Sequence, residues 1–236
     1  MDLITIVKIV GLCLFAYLFG SIPFGYIIGW FKGVNLREVG SGKIGATNAG
    51  RALGWKYRIL VGFLDGLKGA IPVAVTIYLF KSPWWVVGLV FLLYMVGAIL
   101  SIWMKLSTGS FRAGAGVAAL IGGLLVLAGW KVWLTIMGCW LIFLIFFVRR
   151  KMSAASLGLT GIILISIWAI PIFLYIYVLP ALLISLGLVW WAHRDNLKRI
   201  LKGEEPSIKL PSFLNKLPDD IVGWTIEKLK KLFKRH

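Results

Sequence analysis

Three short polar segments interrupt an otherwise apolar chain, and each carries residues able to do chemistry. The first is Gly40-Ser41-Gly42-Lys43-Ile44-Gly45-Ala46-Thr47-Asn48-Ala49-Gly50-Arg51. Small residues there let backbone N–H groups approach an anion and form a nest. Ser41, Thr47 and Asn48 add neutral donors, and Arg51 can fork onto phosphate oxygens. The segment contains G-x-G-x-x-G, but the dinucleotide-binding fingerprint needs a preceding strand, and an apolar run precedes it here. A flexible Gly-rich connector is the plain alternative. The second segment holds Asp65 and Lys68, three residues apart, so that on a helix they share a face and can pair. Ionisable groups inside an apolar run are costly and face a bundle interior or a water-filled cavity; a purely structural ion pair also satisfies that rule. The third is Trp191-Ala192-His193-Arg194-Asp195-Asn196, where His193 and Asn196 again share a face. The only other histidine is His236, the last residue. His193 is therefore the best acid–base candidate.

The elements that position these segments are membrane spans. The chain has 236 residues, 60% of them hydrophobic, and a mean hydropathy of +0.91. Soluble domains run at roughly 45–50% apolar, so an ordinary water-soluble enzyme is excluded, as is disorder. A helix crossing the hydrocarbon needs about 20 apolar residues. Runs of that kind lie at about 4–31, 59–80, 84–104, 113–130, 131–148, 154–170 and 171–191, which predicts seven spans. None shows the alternation of a barrel strand. Met1–Val10 does not read as a secretory signal, because Asp2 precedes Lys8 and no clean cleavage site follows.

The net charge of +17 would point to nucleic acid in a soluble protein. Here the cations sit between the apolar runs, so no nucleic-acid partner is expected. Twenty-two of the 26 lysines and arginines fall on one side of the predicted bundle. The positive-inside rule makes that side cytoplasmic, with the N-terminus outside and the C-terminus inside. Trp30, Trp84, Trp85, Trp103, Trp130, Trp190 and Trp191 fall near span ends as an aromatic belt would. Cys13 and Cys139 lie in apolar runs and read as reduced thiols. Residues 1–205 then form a transmembrane domain of seven helices, and 206–236 a basic cytoplasmic tail. In that tail Val222, Ile226, Leu229 and Phe233 form an apolar helical stripe beside Lys228, Lys230, Lys231, Lys234 and Arg235, the pattern of an amphipathic helix lying on a membrane.

Taken in order, these segments resemble the acyl-phosphate-dependent glycerol-3-phosphate acyltransferases, the PlsY family of bacterial membrane enzymes. Gly20-Ser21-Ile22-Pro23-Phe24-Gly25 is similar to that family's G-S-I-P-x-[GA] start. Ser41-Gly42-Lys43-Ile44-Gly45-Ala46-Thr47-Asn48 with Arg51 resembles its G-S-G-N-x-G-A-T-N-x-x-R loop. Asp65-Gly66-Leu67-Lys68-Gly69 matches D-x-x-K-G, and His193-Arg194-Asp195-Asn196 matches H-[RH]-[ED]-N. The likeness covers about residues 20–210 and implies the same seven-helix arrangement with the N-terminus outside, in the cell (inner) membrane. The middle motif departs from the pattern, which reads approximately G-H-x-x-P-v-F and then G-G-K-G-V-A-T. Ala98 stands for its His, Ser101 for its Pro, Ala115 for its Lys and Ala119 for its Thr, while Gly114 and Gly116 persist. Lys43 replaces the usual Asn of the first loop. The anion site is thus short of one point charge, with Arg112 and Lys43 as the two available replacements.

The resemblance implies acyl transfer from an acyl phosphate to the 1-hydroxyl of glycerol 3-phosphate, giving lysophosphatidate and phosphate in phospholipid synthesis. Membrane lipid and an acyl-phosphate-producing enzyme are the further partners implied. Phosphate is a good leaving group, so the site has mainly to orient two phosphorylated reactants. Ser41, Gly42, Gly45, Thr47, Asn48, Arg51, Lys68, Gly114, Gly116 and Ser156 are the candidate phosphate-binding residues, with Asp65 as the ion-pair partner of Lys68. His193 and Asn196 are the catalytic candidates; His193 could take the hydroxyl proton, or a substrate phosphate could. None of this needs a metal or a cofactor. Two rival classes are a non-catalytic or altered-substrate paralogue, suggested by the middle motif, and a small transporter. A transporter predicts internal repeats, which the sequence does not show.

Overall fold

Asp2 starts the first helix by accepting a hydrogen bond from the Thr5 N–H at 3.2 Å, which satisfies one orphan donor of the N-terminal turn. Helix α1 (Leu3–Gly20) breaks at Ser21-Ile22-Pro23 and resumes as α2 (Phe24–Phe31). Pro23 offers no N–H to continue the ladder. The computed structural model describes residues 1–146, Gly158, Ile163, 172–202 and Glu204. Among these follow α3 (Ala46–Leu53) and α4 (Trp55–Ala74), which a π-helical turn (Val75–Leu79) extends. Then come α5 (Trp84–Ile99), α6 (Ile102–Thr108), α7 (Val117–Phe146), α8 (Ile172–Ala192) and α9 (Arg194–Leu201). The described secondary structure is helical, with one isolated bridge between Leu100 and Arg112.

Leu3–Phe31 and Trp55–Leu79 are long and apolar enough to cross a hydrocarbon core. The end of α8 and α9 would make a third such path across a 53° bend. Their outer faces carry large apolar side chains, among them Leu3, Val7, Phe63 and Leu79, each more than half exposed. The run expected at 154–170 lies almost wholly outside the described residues, and the tail helix at 219–236 lies wholly outside them.

The third run, expected to continue to residue 104, ends as a helix at Ile99. The chain turns back there. Ser101 N–H donates to Phe111 O at 2.9 Å, and Ala113 N–H donates to Ile99 O at 3.2 Å. The Ser101 hydroxyl accepts from Met104 N–H to cap α6 and donates to Ser21 O at 2.5 Å, just where the break before α2 interrupts the ladder. Tyr17 Oη donates to Leu100 O and Trp103 Nε1 to Leu18 O. An apolar run can hide such a turn because Tyr17 of α1 and the segment around Phe111 and Ala113 satisfy the backbone groups the turn frees, as the low-dielectric setting demands.

Glycines set the crossing that carries the site. A Cβ on Gly69 would run into the Ala119 carbonyl and sit 2.8 Å from Gly123 N, and one on Gly122 would run into the Gly66 carbonyl. Helices α4 and α7 therefore touch backbone to backbone, the small-residue packing that membrane helices use in place of a hydrophobic drive. Gly69→Ala should cost about 1–3 kcal/mol by forcing the helices apart. The check is thermal unfolding in detergent, where an unchanged midpoint would refute so close a contact. Around this crossing Phe91, Tyr94, Leu120 and Leu124 are buried. A second buried cluster of Leu36, Ile44, Ala49, Val61, Met104 and Ala113 pins the first loop to α4 and α6.

Candidate active site

Asn48 builds the first loop. Its side chain, 2% exposed, donates to Leu36 O at 2.8 Å and to Val39 O at 2.9 Å, and its amide oxygen accepts from Ser41 N–H at 2.9 Å. The amide is engaged with loop backbone, so Asn48 shapes the loop where the sequence suggested a phosphate donor. Gly42 turns the chain at φ +67° and gives its N–H to Val39 O at 3.1 Å. Helix α3 then starts at Ala46, presenting the positive end of its dipole.

A cavity of about 490 Å³ opens beneath this loop. Its wall brings together Ser41, Gly45, Thr47, Asn48 and Arg51 from the loop and α3, Asp65 and Lys68 from α4, Gly114 and Gly116 before α7, and His193 and Asn196 at the α8–α9 junction. Gly42 is not part of that wall, and Ser156 lies outside the described residues. Four cations, Lys43, Arg51, Arg58 and Lys68, face one carboxylate, Asp65. The rest is largely apolar, with Ile59, Phe63, Leu67, Ile121, Leu125 and Trp133. One wall thus combines cations with an extensive apolar surface.

Lys68 is 5% exposed and pairs with Asp65 at 2.7 Å, while its ammonium lies 5.4 Å from the centre of the Phe24 ring. The pair and the ring fix where this buried charge points. His193 is 4% exposed and stands at the start of α9. Its Nδ1 lies 2.8 Å from Val189 O. A carbonyl can only accept, so Nδ1 carries a proton, and whenever the ring is neutral its lone pair is at Nε2. Lys43 reaches across from the first loop, donating to Ala192 O at 2.6 Å and to the Asn196 side-chain oxygen. A cation at the C-terminal carbonyls of a helix also meets the negative end of its dipole.

Arg112 takes a different place. It pairs with Asp195 in a half-exposed ion pair outside the cavity wall. Partial burial pushes the Asp195 carboxyl up, but the Arg112 hydrogen bond, with the charges of Arg112, Arg194 and Lys43, outweighs it and holds the group below the usual carboxylate value.

This geometry coincides with the comparisons to known proteins. The family described as glycerol-3-phosphate acyltransferase matches residues 10–203. The chain belongs to the glycerol-3-phosphate acyltransferase family. The Aquifex aeolicus glycerol-3-phosphate acyltransferase is 36% identical over 212 residues, covering 84% of this chain and 98% of the relative. One from Thermus thermophilus is 37% identical over 193 residues, covering 81% of this chain and 91% of the relative. A crystal structure of PlsY, an integral membrane glycerol 3-phosphate acyltransferase in its glycerol 3-phosphate form, superposes with a TM-score of 0.74 at 36% identity, covering 86% of this chain and 96% of that one. The lysophosphatidic acid form gives 0.72. The chain is accordingly a membrane protein.

Within this acyltransferase family the departures noted above acquire positions. Ala98, Ala115 and Ala119 all line the cavity. Lys43, one of two replacements considered for the missing cation, lines it too, whereas Arg112 does not. Sequence reasoning misses Arg58 and Trp133. Arg58 sits in the first turn of a span, where topology alone accounts for a cation. A tryptophan in an apolar run reads as lipid-facing or interfacial.

Proposed function

We propose that this chain transfers an acyl group from an acyl phosphate to the 1-hydroxyl of glycerol 3-phosphate, releasing lysophosphatidate and phosphate for phospholipid synthesis. The observation that carries the reading is the cavity itself, whose wall sets four cations against one carboxylate and is otherwise largely apolar. Two phosphorylated reactants need the first, and an acyl chain needs the second.

In this reading Arg51, Lys68, Lys43 and the N-terminal turn of α3 hold phosphate oxygens, aided by Ser41, Gly45, Thr47, Gly114, Gly116 and Ser156. Asp65 orients Lys68, and Asn48 and Gly42 hold the loop in shape. Asn196 orients Lys43. The C–O bond to phosphate breaks as the bond to the glycerol oxygen forms. His193 Nε2 takes the hydroxyl proton, a role its Nδ1–H bond to Val189 O supports. Holding the two reactants together with the hydroxyl oxygen over the face of the acyl carbonyl supplies most of the remaining acceleration.

The wider arrangement proposed is seven spans in residues 1–205 with the N-terminus outside, the loops and the basic tail 206–236 cytoplasmic, and the whole in the cell's inner membrane. An acyl-phosphate-producing enzyme supplies the donor.

Purified protein given palmitoyl phosphate and glycerol 3-phosphate should yield lysophosphatidate and phosphate in equal amounts. Binding of glycerol 3-phosphate without product would return the chain to the non-catalytic class. Arg51→Lys, which keeps the charge and loses the two-pronged fork, should raise KM for glycerol 3-phosphate about tenfold. An unchanged KM would remove Arg51 from the phosphate site.

A further inference from the structure

We propose that Trp133 sets the length of the acyl chain this cavity accepts. The inference rests on the acyl-transfer reading above and adds to it a specificity-determining residue. Helix α7 carries one non-helical residue, Gly129, at φ 79° and ψ 164°. A positive φ of that kind suits glycine and kinks the helix there. The indole of Trp133 consequently meets the segment before the kink, and its Nε1 donates to Ile121 O at 3.2 Å, twelve residues back. Its neighbour Trp130, by contrast, is 63% exposed.

Trp133 shares the cavity wall with Ile121, Gly122 and Leu125, the last residues of α7 before the kink to do so. The cations lie on other elements: Lys43 in the first loop, Arg51 on α3, and Arg58 and Lys68 on α4. A chain whose phosphate end is held by those cations leaves its acyl tail to the apolar part of the wall, and on α7 that part includes Ile121, Leu125 and Trp133. A rigid indole there is a stop. The bond to Ile121 O satisfies the indole N–H within this wall and holds the ring in place against a chain that would push it aside. Gly122 contributes no side chain of its own, so the indole and Leu125 decide how much room is left.

The expected size follows from what a hydrophobic pocket can discriminate. A methylene too many costs roughly tenfold or more in kcat/KM where the wall cannot yield. The test measures kcat/KM of the full-length purified protein with dodecanoyl, hexadecanoyl and eicosanoyl phosphate, glycerol 3-phosphate being saturating. Trp133→Ala should raise the eicosanoyl-to-dodecanoyl ratio at least about tenfold. Trp133→Phe, which keeps a ring and loses the N–H, should shift it in the same direction by less. Leu125→Trp, which adds bulk to the same wall, should lower the ratio, so the proposal stays testable should one variant fail to fold. Transfer by the parent chain with the same length profile in all the variants that fold would overturn the role of Trp133. No transfer by the parent chain at any length would overturn the acyl-transfer reading itself, and the proposal with it.

Discussion

His193→Ala is expected to lower kcat for acyl transfer by about 100-fold or more, the usual contribution of a placed general base. The ring's orientation is the first reason. Val189 O holds Nδ1 at 2.8 Å, so the proton sits on that nitrogen and Nε2 is the basic one. The ring is 4% exposed, on the wall shared with Lys43, Arg51 and Lys68, where the acceptor's phosphate and hydroxyl would meet. A base acts only when neutral, so the acid limb of the pH–rate profile should belong to His193 and vanish in the variant. KM for glycerol 3-phosphate should move far less than kcat, because the proposed phosphate contacts lie on other residues. A loss below about tenfold with the acid limb intact would instead assign the proton to a substrate phosphate.

The second large effect concerns Lys43. Lys43→Met keeps most of the side chain's volume and removes the ammonium. It leaves Ala192 O and the Asn196 oxygen without this donor and takes one of four cations from the wall. A hydrogen bond to a charged group contributes about 1.5–3 kcal/mol, so kcat/KM should fall about 10- to 100-fold. The companion change is Ala115→Lys, which puts a lysine where the family pattern carries one. In the Lys43→Met background it should recover much of the loss. In the parent chain it should gain little or reduce activity, since two ammonium groups would then compete near one anion. Full activity of Lys43→Met would show that the middle motif is depleted rather than rebuilt.

These residues also show what could be read from the sequence. Chemistry-bearing side chains are scarce in a chain this apolar, so Arg51, Lys68 and His193 stand out by type alone, and ten of the residues singled out do meet on one wall with Asp65. Gly42 and Asn48 are harder. Whether a loop glycine or amide faces a ligand or its own backbone depends on the turn it adopts, and spacing carries no record of the bonds from Asn48 to Leu36 O and Val39 O. The end of α5 is hidden for a related reason. Leu100-Ser101-Ile102-Trp103-Met104 continues the apolar run, and the hydrogen bonds that let the helix stop at Ile99 come from Tyr17 and Phe111. Hydropathy counts residues; it does not see partners far along the chain.

The Lys43 contacts have a consequence for how the protein is made. They join residues 149 and 153 positions apart, Lys43 to Ala192 and to Asn196. At about 5–20 residues per second of synthesis, the first loop waits roughly 8–30 s for its counterpart to leave the ribosome. Until then the growing chain has its first loop but neither His193 nor the carbonyl that anchors Lys43. Closing so distant a contact is the slow kind of folding event, because the entropy of the intervening chain is lost before the contact forms. Catalytic competence is therefore the last thing this chain acquires, and a product truncated before residue 192 can enter the membrane without acquiring it.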